Sequence, residues 1–201
     1  MKHGSDSATR ATNVLGVAAG VLMLVLPFLG PWWIARAGAD AIAIALSPFD
    51  LSISVLGQPV HSNLVELFLL AEKIAMIIAG VFMISGSLSP NSWWAGRLVR
   101  FGVMKPFWAI VGLVVLIVFG TFLINSALPS LLSNAVQDGG TSIQLSIPYL
   151  VGSSSTTIQI GSQATITAPV NLSLAPAFWV AVVTAVLGVM ARISHRRFQK
   201  R

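Results

Sequence analysis

No cysteine occurs anywhere in the 201 residues. That absence removes disulfides, thiolate metal sites, iron–sulfur clusters and a cysteine nucleophile together, and it leaves the redox compartment open. Charge is almost as scarce. Six acidic and twelve basic residues amount to 9% of the chain, against about 25% in an ordinary soluble domain. A chain this poor in charge cannot keep a water-facing surface, so lipid is the expected solvent for most of it. Histidine is confined to His3, His61 and His195, all outside the long apolar runs, which excludes a haem clamped between two intramembrane histidines of this chain. There is no P-loop, Rossmann fingerprint, nucleophile elbow or HExxH, and no His, Cys and carboxylate cluster has metal-ligand spacing. The reading is therefore of a non-enzyme with no cofactor. His61 with Asp40 or Asp50 would be the closest approach to a metal set; the plainer reading is a solvated imidazole near the end of a span.

What the chain has in abundance is apolar sequence, 55% of its residues. A membrane helix needs about 20 mostly apolar residues, and four stretches qualify: 14–33, 64–84, 106–125 and 176–191. The expected order is a cytoplasmic tail 1–13, the first span, an extracellular loop 34–63, the second span, a cytoplasmic loop 85–105, the third span, an extracellular loop 126–175, the fourth span, and a basic cytoplasmic tail 192–201. Basic residues set the orientation. Lys2, Arg10, Arg97, Arg100, Lys105, Arg192, Arg196, Arg197, Lys200 and Arg201 lie on one side, and Arg36 alone on the other, with Asp40, Asp50 and Asp138. Both termini are thus expected inside a multi-pass cell-membrane protein. The net charge of +6 reads as a topology signal rather than as nucleic-acid binding. Anionic lipid headgroups are the expected partners of the tail at His195-Arg196-Arg197. Indole rings favour the headgroup level; Trp32, Trp33 and Trp179 fall at the outer boundary, and Trp93, Trp94 and Trp108 at the inner one. Lys2, Arg10, the apolar run and Ala35-Arg36-Ala37 also compose a signal-peptide pattern, but the two adjacent tryptophans suit a span better.

Both outer loops change from apolar runs to strict alternation, the mark of half-buried strands. Ile42, Ile44 and Leu46 alternate with alanine, Ser47-Pro48-Phe49-Asp50 makes a turn, and Leu51, Ile53 and Val55 follow, which reads as a hairpin. In the second loop Ile143, Leu145 and Ile147 alternate, Ile158 and Ile160 flank Gln159, and Ile166 to Leu174 alternate most clearly of all. Pro169 cannot donate to a ladder, so that strand is expected at an edge or bulge. Neither loop alone can bury its apolar face, so one sheet of about five strands built from both is expected. Asn171-Leu172-Ser173 is an N-glycosylation sequon on the polar face of the last strand.

Apolar area gives no drive between helices in lipid, so small residues that allow close backbone approach mark the packing faces: Gly16 and Gly20 in the first span, Ala71, Ala75 and Ala79 in the second. Pro27 should bend the first. Glu72 and Lys73 lie within one turn of Ile74, the middle of the second span, and Glu66 lies seven residues before Lys73. Glu72 shares the Ala75 and Ala79 side; Lys73 shares a face with Glu66. Charge at that depth is costly, so the three are either a functional intramembrane polar site or groups wetted by water entering the outer half.

The expected fold is a mainly α four-helix membrane bundle with a small extracellular sheet built from two loops. In layout alone it resembles the claudin-type tetraspan proteins. The cysteine pair of the claudin first loop is missing, and here the second outer loop is the longer, so no residue or activity carries over. Three functions remain in play. The first is a structural or accessory subunit of a larger membrane or cell-envelope complex, with other membrane subunits or itself as partner. The second is an ion- or proton-coupled transport component using Glu72 and Lys73, and the third a surface adhesion protein. Single introduced cysteines test the topology: Ser153→Cys should react with an impermeant maleimide on intact cells and Ser89→Cys should not. The opposite pattern would invert the orientation.

Overall fold

The computed structural model of the chain describes residues 12–38, 40–135, 142–144, 147–160 and 164–198. The expected tail with Lys2, His3 and Arg10, the loop residues Asp138, Leu145 and Ser146, and the terminal Lys200 and Arg201 lie outside them. Among the described residues the elements run α1 (Val14–Val25), a 3-10 turn (Leu26–Phe28), β1 (Trp33–Ala37), β2 (Ile42–Leu46), β3 (Leu51–Val55), β4 (Gln58–Val60), α2 (Asn63–Leu88), α3 (Ala95–Ala135), β5 (Ser142–Gln144), β6 (Gly152–Ile160), β7 (Ala164–Leu174) and α4 (Pro176–Phe198). The chain is mainly helical with one small antiparallel sheet. Three helical stretches are long and apolar enough to cross a membrane: Asn63–Leu88, Ala95–Ala127 and Pro176–His195.

The first expected span is shorter than its apolar run. Pro27 sits in the 3-10 turn, Gly30 takes φ +85°, and Pro31 biases the residue before it away from helix. These breakers convert the chain to extended backbone, so Trp33 opens a strand instead of closing a helix. The apolar helical stretch is Val14–Phe28. The other helices overrun their expected limits. α2 ends at Leu88 and α3 begins at Ala95, so most of the expected loop 85–105 is helix. At the far end α3 continues to Ala135, and its 41 residues make a rod of about 60 Å at 1.5 Å per residue. α4 likewise runs on to Phe198, through much of the expected basic tail.

The chain divides into two compact units, one of Met1–Pro27, Ala75–Phe107 and Ala181–Arg201, the other of Phe28–Ile74 and Trp108–Val180. The first unit is helical and is packed through glycine. A Cβ on Gly20 would lie 2.9 Å from the Gly80 carbonyl oxygen and 2.5 Å from Ile84 Cγ1, and a Cβ on Gly80 would lie 3.0 Å from the Gly20 oxygen. The α1 and α2 backbones therefore touch, the close approach that small residues permit. An added Cβ would likewise lie 2.9 Å from the Ala95 oxygen at Gly86, 2.9 Å from Met83 Cβ at Gly102 and 3.5 Å from Val103 at Gly188, so α2 approaches α3 and α3 approaches α4 closely at these positions. Asn13 ties α1 to α4. Its Oδ1 accepts from Gly16 N–H (3.3 Å) while its Nδ2 donates to the Ala191 carbonyl (2.8 Å). Asn13 N–H also donates to the Ser87 carbonyl at 3.0 Å.

The second unit carries a seven-stranded sheet in the order β4-β3-β2-β1-β7-β6-β5. Both long loops contribute to it, joined where β1 pairs β7 in register Trp33↔Leu174 to Ala37↔Val170. The hairpin pairs Ile42 with Val55, Ile44 with Ile53 and Leu46 with Leu51, so the alternating apolar residues share one face. Two strands beyond the expected five lie at places without clear turn chemistry. β4 is reached through Leu56 (φ 52°) and Gly57 (φ 77°), a turn with both central residues at positive φ, where Asn-Gly is the usual signal. Along β7, Val170 and Leu172 are buried while Pro169, Asn171 and Ser173 are exposed. β7 is an interior strand between β1 and β6, not the expected edge, and Pro169 pairs with Ser155 of β6. On the β1 side, past the last register pair at Val170, the Pro169 carbonyl accepts from Gly38 N–H at 2.9 Å, so its missing N–H falls where the β1 ladder has ended.

Trp32 sits at the centre of this unit, fully buried. Its ring meets Phe49 edge-on at 5.6 Å and Phe178 at 6.4 Å, the T-shaped arrangement favoured by aromatic quadrupoles. Trp33 is 8% exposed and its Nε1 donates to the Leu150 carbonyl at 2.7 Å. Neither is the interfacial belt residue expected from sequence; the early end of α1 carries both into the sheet. Asn125 clamps the backbone of Ile147: its Nδ2 donates to the carbonyl (2.9 Å) and its Oδ1 accepts from the N–H (3.1 Å). Thr121 Oγ1 donates to the Tyr149 carbonyl at 3.4 Å rather than back to its own helix.

The glycines give an internal contrast. Gly20→Ala should destabilise the protein by about 1–3 kcal/mol through overpacking. Gly120→Ala, with nothing within 4 Å of its added Cβ, should be neutral or stabilise by up to about 1 kcal/mol through helix propensity. Thermal melts of the full chain in mild detergent check this; equal effects would contradict the α1–α2 contact.

Candidate functional site

The second unit holds a groove of about 550 Å³ lined by the β2–β3 turn, β3, the end of β4 and the first half of α2. Its walls are apolar (Phe49, Leu51, Ile53, Val60, Leu69, Leu70) and carry four titratable side chains, Asp50, His61, Glu66 and Lys73. Local sequence explains each position. Ser47 Oγ accepts from Phe49 N–H (3.2 Å) and Ser47 N–H donates to the Asp50 carbonyl (2.8 Å), which fixes the turn, buries Phe49 under Trp32 and leaves Asp50 exposed. β4 ends at Val60, and α2 starts two residues after His61. Glu66 is in the first turn of α2, where a carboxylate meets the positive end of the helix dipole, and its carboxylate oxygen lies 3.4 Å from His61 Nδ1.

Lys73 lies seven residues further along α2, about 10 Å by helical rise. Helix side chains lean toward the N-terminus, so Lys73 leans toward the level of Glu66. Its Nζ stands 5.8 Å from the centroid of the Phe28 ring, a cation–π distance. Of the three expected intramembrane polar residues, the groove thus brings together Lys73 and Glu66. Glu72 is half-buried and outside the groove lining. Phe28 was missed in the sequence, and Asp50 was singled out there only beside His61. The Ser47–Asp50 turn was legible, but nothing in it indicates that it stands beside α2.

The remaining site residues lie apart. Ala71 is exposed, Ala75 half-buried and Ala79 fully buried, so the alanine row is covered only at its later end; Gly16 and Gly20 are both buried. Asn171 is exposed on β7 between Arg36 of β1 and Ser153 of β6. Asp40 is 3.7 Å from Arg36, and among the described residues no group of three His, Asp or Glu is placed to hold a metal. His195, expected among headgroups, is 3% exposed. It lies one turn beyond Ala191 on the face of α4 that Asn13 contacts, so the continuing helix turns it inward. Neither of its nitrogens has a hydrogen-bond partner among the described residues.

No known protein-family model matches the chain, and no curated protein matches it. The claudin-type layout therefore gains no support.

The His61–Glu66 pair is 69% and 60% exposed, the setting in which ion pairs contribute least. His61→Ala should change thermal stability by no more than about 0.5 kcal/mol. A larger loss in detergent melts would make the pair part of the structural frame instead of a solvated rim.

Proposed function

We propose that the chain is a non-catalytic multi-pass membrane protein with four spans and both termini cytoplasmic, serving as a structural or accessory subunit of a larger membrane or cell-envelope assembly. The observation that carries this reading is the surface of α2. Every residue from Leu64 to Phe68 is exposed, with Leu64, Leu67 and Phe68 at 81%, 65% and 64%. A helix that packs only within its own chain buries one stripe; here the first turns bury none, although they are strongly apolar. Only 22% of the apolar window of α2 is buried, and 17% of that of α3. Lipid, or the apolar surface of a partner against Leu67 and Phe68, accounts for the apolar part of this surface. Glu66, on the same turns, is better accounted for by a polar partner or by water, because charge in hydrocarbon is costly.

The orientation follows from the basic-residue asymmetry, and the fourth span from α1 as a short apolar helix. The test is purification of the full chain in mild detergent from its native membrane. A partner in fixed ratio is expected, and Leu67→Ser with Phe68→Ser should release it while the melting temperature of the isolated chain stays within about 2 °C, since neither side chain is buried. A chain that elutes alone, and is unaffected by the double variant, would overturn the proposal. A pH-dependent flux in liposomes abolished by Glu72→Gln would replace it with the transport reading.

A further inference from the structure

Beyond any partner protein, the groove has a charge order of its own. Along α2, Lys73 is its deepest charge and Glu66 its outermost, with Leu69 and Leu70 between them. Asp50 and Ser52 line the opposite wall from the sheet side. Along α2 the cation is thus set toward the middle of an apolar helix and the Glu66 carboxylate toward its N-terminal end. Among the described residues Lys73 has no ion pair; its ammonium stands over the Phe28 ring. A cation–π contact leaves the ammonium's hydrogen-bond donors free for an anion.

We propose that this groove binds one phospholipid with a zwitterionic headgroup carrying a primary ammonium, of the phosphatidylethanolamine class. Its phosphate meets Lys73, its ammonium donates to Glu66 further along the groove, and its acyl chains lie along the exposed apolar face of α2 below Leu69. The order of charges selects this occupant. An anionic glycerol headgroup would satisfy Lys73 but would set hydroxyls against the Glu66 carboxylate with no cation to neutralise it. A choline headgroup carries the positive charge but has no N–H to donate, so it forgoes the charge-assisted hydrogen bonds that a primary ammonium makes. His61, 3.4 Å from the Glu66 carboxylate, holds that acceptor at the groove wall. The site needs no partner subunit and is tested on the isolated chain, so its outcome is independent of the assembly proposal.

The experiment is native mass spectrometry of the full-length protein in detergent micelles doped with phosphatidylethanolamine, phosphatidylcholine or phosphatidylglycerol of identical acyl chains. One ethanolamine lipid per chain should be retained about tenfold more tightly than the glycerol lipid, the scale of one charge-assisted hydrogen bond. Lys73→Met should weaken retention of all three about tenfold. Glu66→Gln should bring ethanolamine to the level of choline while leaving the phosphate-dependent part intact. Arg36→Gln, on β1 and outside the groove lining, should change nothing. Equal retention of the three headgroups, or retention unmoved by Lys73→Met, would overturn the proposal and leave only nonspecific annular lipid.

Discussion

The antiparallel ladder between β1 and β7 joins two parts of the chain that lie far apart in sequence, from Trp33↔Leu174 to Ala37↔Val170. Every other strand reaches the sheet through one of these two: β2, β3 and β4 extend outward from β1, and β6 and β5 from β7. The entropic cost of closing so long a loop is met once, after which each neighbour adds by a short connection. The ladder is also continued past its ends. Trp32 N–H donates to the Leu46 carbonyl, and Ala175 N–H donates to the Trp32 carbonyl, both at 2.9 Å. The residue that links the two loops by its backbone is therefore the one whose ring anchors Phe49 and Phe178.

Polar groups in an apolar chain show where the structure is held and where it is strained. Asn125, Thr121 and the Trp33 indole hold the carbonyls of Ile147, Tyr149 and Leu150, replacing the ladder partners that an irregular stretch lacks. Asn13 does the same for the start of α1. Against these stand buried donors and acceptors with no partner among the described residues: Trp32 Nε1, Ser87 Oγ, Ser154 Oγ, Thr156 Oγ1 and both nitrogens of His195. Each such group costs about 1–3 kcal/mol. His195 and Ser87 lie in the helical unit, Trp32, Ser154 and Thr156 in the sheet unit. Neither unit is optimised for stability alone.

The groove beside α2 gathers what a composition-level reading treats as isolated exceptions. Lys73 and Glu66 are two of the few charges in this part of the chain, and each is held by geometry: the lysine by Phe28, the glutamate by His61 and the helix terminus. Glu72, adjacent to Lys73, is directed elsewhere because neighbouring helix positions differ by about 100° around the axis. One span therefore presents its charges to two different environments, which is why a single role for all three is not required.

How much of this was legible beforehand can be judged element by element. Long apolar runs with no Gly-Pro pair inside them read correctly as helices at α2, α3 and α4, because hydrophobic length is a local property. The alternation of Ile42 to Leu46, Leu51 to Val55 and Ile166 to Leu174 likewise announced strands, since a strand's two faces are written every second residue. What misled was continuity: Trp32 and Trp33 extend an apolar run, and periodicity cannot tell a buried strand from the end of a helix. Gly30-Pro31 held the needed signal. Strand β4, the inward turn of His195 and the sharing of one groove by Asp50 and Lys73 had no local signature. By itself the sequence determined which segments are apolar, where charge is scarce, and which stretches alternate, because each depends only on neighbours along the chain. Only the tertiary structure decided the strand partners, the burial of Trp32 and the side chains that share a groove. Those depend on hydrogen bonds and packing between residues whose proximity no local pattern records.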